Sequence, residues 1–80
     1  MESIPIKFQC EAKKYMCHLS HVIGAGTTSC YHLQDDKNFY LGRLRWSEFE
    51  NKWVFDSTPK TKDLEELAAY FGDVVTAWYQ

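Results

Sequence analysis

A single change of hydrophobic period constrains this chain more than any other feature. From Ile4 to Asp56 apolar and polar residues alternate at period two; from Thr61 to Trp78 they repeat every 3.6. Alternation places successive side chains on opposite faces of a strand, whereas the longer repeat aligns them along one stripe of a helix. A chain that switches once, late, reads as a run of antiparallel strands followed by one helix. Each element must bury its apolar side against another. The expected fold is therefore α+β: an antiparallel sheet of four to five strands with one C-terminal helix packed on one face. The 80 residues form a single domain, with strands within 4–57 and the helix over about 61–79.

The pattern also suggests pairings. "IPIKFQC" sends Ile4, Ile6, Phe8 and Cys10 to one side, with Pro5 suited to an edge strand. "EAKK" offers a polar turn, and the next segment puts Tyr15, Cys17, Leu19, His21 and Ile23 on one face. "GAGTT" supplies glycines for a loop before the returning strand "SCYHLQ", and "DDKN" is a strong turn signal. "FYLGRLRW" and "KWVFDS" then flank the loop "SEFEN". Pairing Trp46 with Trp53 and Leu44 with Phe55 gathers one aromatic face and leaves Arg43, Arg45, Lys52 and Asp56 on the other. Gly42 sits in mid-strand, where glycine marks a bulge or a close backbone approach. In the helix, Leu64, Leu67, Ala68, Phe71, Val75 and Trp78 make the apolar stripe, with Thr61 as N-cap. The stripe stays in phase through Gly72, which predicts one continuous helix packed closely at that glycine.

Composition narrows the class of protein. A chain this short leaves about 40% of its unfolded surface exposed when folded, and 16% aromatic residues compensate by filling a small core with large rings. No run of about 18 apolar residues is present, so no membrane helix is expected. The N-terminus lacks the pattern of a secretion signal. Three cysteines cannot all pair within one chain, and there is no N-x-S/T acceptor, which together point to a reducing, cytoplasmic setting. Net charge is −2, with the deficit concentrated in residues 61–80. Dedicated DNA-binding domains typically have a pI above about 9.

Residues 17–32, "CHLSHVIGAGTTSCYH", concentrate the reactive side chains. Zinc needs four ligands converging on one point, and Cys17, His21, Cys30 and His32 would meet if the strands paired in one register. In the alternative register Val22 opposes Cys30 and Ser20 opposes His32. Cys17 and His21 then face away from Cys30 and His32, while Leu19, Tyr31 and Leu33 form one apolar face. The second register buries more apolar surface and is the expected one, so no metal or other cofactor is anticipated. A Cys–His catalytic pair lacks a strand-to-helix elbow and oxyanion donors, and the chain is not expected to be an enzyme. "GAGTT" precedes a strand rather than a helix, unlike a phosphate cradle.

The candidate partner-binding residues are Arg43, Arg45, Lys52 and Phe39 on the polar sheet face, together with Trp78 and Tyr79 at the helix end. Basic side chains beside an exposed aromatic suit single-stranded nucleic acid. Trp78 and Tyr79 lie on adjacent helix faces, so that one can join the core while the other stays partly exposed, where an aromatic favours a protein contact.

The element order and the segment "LAAYFGDVVTAWYQ" resemble a purine-rich-element-binding (PUR) repeat, chiefly in Gly72-Asp73 and the aromatic flank over residues 68–80. That resemblance implies single-stranded nucleic-acid binding and, for a chain with one repeat, a homodimer. The segment from Tyr31 to Ser57 also looks similar to small single-domain bacterial proteins, a likeness that implies no function. The leading expectation is a small, non-catalytic protein-interaction domain that self-associates through the sheet surface or the helix end, partner unknown. Single-stranded nucleic-acid binding is the alternative, and a small zinc-binding domain the third.

Overall fold

The computed structural model describes residues 3–22 and 30–80. Five strands, β1 (Ser3–Cys10), β2 (Lys13–His21), β3 (Cys30–Asp35), β4 (Tyr40–Ser47) and β5 (Lys52–Ser57), pair antiparallel in chain order. A 3-10 turn (Lys62–Leu67) then leads into helix α1 (Ala68–Trp78). This is the expected α+β architecture, with all five strands present. The helix touches both edge strands: the Tyr70 hydroxyl donates to the Lys7 carbonyl on β1, and Gly72 lies against Trp53 on β5. The sheet therefore curls around the helix, and its other face is left uncovered by any described element.

The turns follow from local chemistry. Glu11 and Ala12 both have positive φ, 49° and 66°, as a two-residue hairpin joining strands of right-handed twist requires. The turn is thus confined to these two residues, and Lys13 and Lys14, expected in it, already belong to β2. Between β3 and β4 the Asp35 carboxylate accepts from the backbone N–H of Lys37 and of Phe39, each at 2.9 Å, with Asn38 at φ 67°. The glycine loop expected at "GAGTT" lies outside the described residues.

Pairing across β4–β5 is as the alternation predicts: Leu44 opposes Phe55 and Trp46 opposes Trp53. Gly42 answers to both of its expected roles. A bulge falls where Leu33 opposes Gly42 but Gln34 opposes Tyr40, and φ of 149° at Gly42 is a conformation that side-chain-bearing residues rarely adopt. A Cβ there would stand 2.3 Å from the ring of Phe55.

Ile4, Ile6, Tyr15, Cys17, Leu19, Tyr31, Leu33, Leu44 and Phe55 from the sheet enclose Leu64, Phe71 and Val75. Phe71 has no exposed surface and meets Phe8 and Phe55 edge-on, at 5.1 and 5.3 Å between centroids. Edge-to-face pairs of this sort add about 0.5–1.5 kcal/mol beyond burial. The start of the helical segment differs from expectation. Thr61 makes no side-chain cap; its buried hydroxyl donates to the Leu41 carbonyl at 2.7 Å and accepts the Thr58 N–H at 2.9 Å. The bulge leaves the Leu41 carbonyl to be satisfied from outside the sheet, and Thr61 is the residue that reaches it. The helix is continuous through Gly72 as predicted, but its first six residues are 3-10.

Candidate nucleic-acid interface on the outer sheet face

Strand parity and the observed register decide which side chains reach the uncovered face. Outward positions are Ser3, Pro5, Lys7 and Gln9 on β1; Lys14, Met16, His18 and Ser20 on β2; Cys30, His32 and Gln34 on β3. Tyr40, Arg43, Arg45 and Ser47 on β4 and Lys52, Val54 and Asp56 on β5 complete the face. These positions hold five Lys or Arg residues against a single carboxylate, although the whole chain is net negative. Four of the acids, Asp63, Glu65, Glu66 and Asp73, sit on the helical segment, while Asp36, Glu48 and Glu50 lie in the turns that border the face. The outward strand positions are thus more basic than the summed charge suggests.

At the centre of the β4–β5 side, Arg43 and Arg45 converge on Asp56. Arg43 Nη2 lies 3.2 Å from Oδ2; Arg45 donates from Nε to Oδ2 at 2.8 Å and from Nη2 to Oδ1 at 3.4 Å. Burial acts to raise the Asp56 carboxyl, but the hydrogen bonds and charges of Arg45 and Arg43 outweigh it and hold it below the ordinary carboxylate value. The bond to Asp56 in turn raises the Arg45 guanidinium. Lys52 lies 3.8 Å from Glu50. A shallow depression of about 310 Å³ beside the arginines is lined by Cys30, Trp46, Ser47, Glu48 and Phe49.

The alternation that grouped Phe39 with the arginines is broken. The bulge around Gly42 inserts a residue, so Tyr40 takes the outward position and packs edge-on against His32, 5.1 Å between ring centroids. Phe39 lies ahead of β4 in the turn, 65% exposed. Phe49, fully exposed in the β4–β5 loop, is a further aromatic at this site that alternation alone passes over. A hydrophobic residue amid "SEFEN" was the signal for it. At the helix end Trp78 and Tyr79 are 49% and 54% exposed, so neither is taken into the core.

The Cys/His stretch adopts the expected register. Ser20 opposes His32, and the Val22 N–H donates to the Cys30 carbonyl at 2.9 Å. Cys17 and His21 therefore face the helix side while Cys30 and His32 face outward. Among the described residues no three His, Cys, Asp or Glu side chains gather as a metal site. All three thiols are free, and none is activated. Burial, aided by Asp35 and Asp36, pushes Cys17 up to about 11, and burial also raises Cys30 despite Arg43 and Arg45.

The sheet edge offers less than its face. On the edge strand β1 the Lys7 carbonyl accepts from the Tyr70 hydroxyl. Pro5 has no N–H to give, and Lys7 already has its acceptor occupied, both of which discourage strand addition. No helix is long and apolar enough to cross a membrane among the described residues. No family model, curated protein or solved structure matches this chain.

Proposed function

We propose that this is a non-catalytic binding domain whose outer sheet face takes single-stranded nucleic acid in a reducing, cytoplasmic setting. The observation that carries the reading is the five-to-one excess of cations over carboxylates at outward strand positions. Phosphates need such charge, and unstacked bases need aromatic platforms, for which Tyr40, His32 and Phe49 are placed. The PUR-like C-terminal segment agrees with it. Thiols raised above their ordinary value are poor nucleophiles near neutral pH, in keeping with a binding role.

Fluorescence anisotropy with a labelled oligonucleotide tests the proposal. Binding should weaken with salt, log K falling by about 0.7 per phosphate contacted for each tenfold rise in salt, and the pair Arg43→Ala and Arg45→Ala should weaken it at a given salt. No binding at low salt would sink the idea.

A second reading is self-association, favoured by the half-exposed Trp78 and Tyr79 at the helix end. A two-fold dimer sets a surface against its own copy, so the outer face would oppose its own cations. The homodimer reading therefore belongs to the helix end. Light scattering that returns a strict monomer removes it.

A further inference from the structure

Asp56 is the single carboxylate among the outward strand positions, and it stands where charge alone would weaken a surface for polyanions. We propose that Asp56 is a positioning residue of that surface, holding Arg43 and Arg45 in a fixed arrangement that presents their remaining donors to phosphate. The inference rests on the nucleic-acid reading of the outer face.

Three observations support it. Arg43 lies directly opposite Asp56 in the β4–β5 ladder and Arg45 one repeat further on the same face, so a single carboxylate reaches both. Each guanidinium carries five N–H donors, and Asp56 engages three of the ten. Seven donors are left, while Arg43 and Arg45 keep 47% and 37% of their side-chain surface exposed. Finally, Arg45 is gripped through both Nε and Nη2, which sets the plane of its guanidinium as well as its position. Arginine side chains are long and lose much rotamer freedom when ordered. Ordering them before the partner arrives removes that cost from binding. The three side chains together still carry one positive charge.

The two effects of removing Asp56 have opposite signs, which makes the test decisive. Asp56→Asn makes the face more positive, so a purely electrostatic surface would bind an oligonucleotide more tightly. A positioning role predicts weaker binding, by about fivefold, the scale of leaving two long side chains to be ordered on association. Asp56→Glu, which restores the carboxylate, should recover part of the loss. Anisotropy with one single-stranded DNA oligonucleotide at fixed salt reads all three proteins, and circular dichroism checks that each is folded. Nuclear magnetic resonance supplies a readout without nucleic acid: the Arg45 Nε–Hε signal should be sharp in the native chain and broadened in Asp56→Asn. Tighter or unchanged binding of Asp56→Asn, or an Arg45 signal indifferent to it, overturns the inference. Failure of the native protein to bind removes the nucleic-acid reading and this inference together, a result distinct from binding that Asp56→Asn strengthens.

Discussion

Gly72→Ala should destabilise this protein, against the usual preference of helices. In a helix interior the substitution favours alanine by about 1 kcal/mol. Here a Cβ at residue 72 would stand 2.0 Å from Cδ1 of Trp53, 2.4 Å from Cγ and 2.5 Å from Nε1. Carbon atoms pack at about 3.5–4.0 Å, so the indole would have to retreat by about 1.5 Å or more. It has little room, because Trp46 lies 5.6 Å and Tyr31 6.3 Å away between ring centroids. Overpacking commonly costs about 1–3 kcal/mol. Overlap with three atoms of one rigid ring puts this site at the upper end, leaving a net loss of about 2 kcal/mol after the helix preference. At about 1 kcal/mol per M for a chain of this size, the urea midpoint should fall by about 2 M. Circular dichroism follows the transition without depending on tryptophan emission. In a Trp53→Leu background the obstruction is gone, and the same substitution should raise stability by about 1 kcal/mol. An unchanged or raised midpoint for Gly72→Ala in the native background refutes the packing argument.

Thr61→Val keeps the shape but strands the Leu41 carbonyl and the Thr58 N–H; it should cost about 1–3 kcal/mol in urea unfolding, and Thr61→Ser clearly less. The Asp56 carboxyl is held below its ordinary value, so its contribution is present above the unfolded pKa of about 3.9 and lost as pH falls through the folded value. Both partners are more than a third exposed, which limits the effect to about 1 kcal/mol or less; the stability gap between native protein and Asp56→Asn should close on acidification, and a gap that persists at pH 2 contradicts the assignment. Cys17, with its thiol pushed up to about 11, should be alkylated at pH 8 about a hundredfold more slowly in the folded than in the unfolded chain. Pulse labelling with peptide mapping measures this, and equal rates would rule out a buried, neutral thiol.

Much of the fold is legible in the sequence because hydrophobic period is a local property. Alternation alone leads to the pairing of Trp46 with Trp53, to Leu44 opposite Phe55, and to the β2–β3 register that separates Cys17 and His21 from Cys30 and His32. A one-residue slip would turn every buried side chain of a strand outward, and this makes the register so strongly determined. The in-phase stripe likewise carries the helix through Gly72.

The tertiary structure decided the features that depend on distant parts of the chain. The bulge at Gly42 exchanges Phe39 for Tyr40 on the outer face, because one inserted residue reverses the parity of all that precede it in the strand. Thr61 serves the Leu41 carbonyl 20 residues away instead of capping its own helix, an acceptor that local sequence does not reveal. The excess of cations required knowing which strand positions point outward together, and a chain of net charge −2 conceals five cations to one carboxylate at those positions. The sequence by itself determined the elements, their order and most of their pairing, since these follow from which side chains avoid water. Only the folded arrangement decided which groups share a surface, since that depends on contacts between residues far apart along the chain.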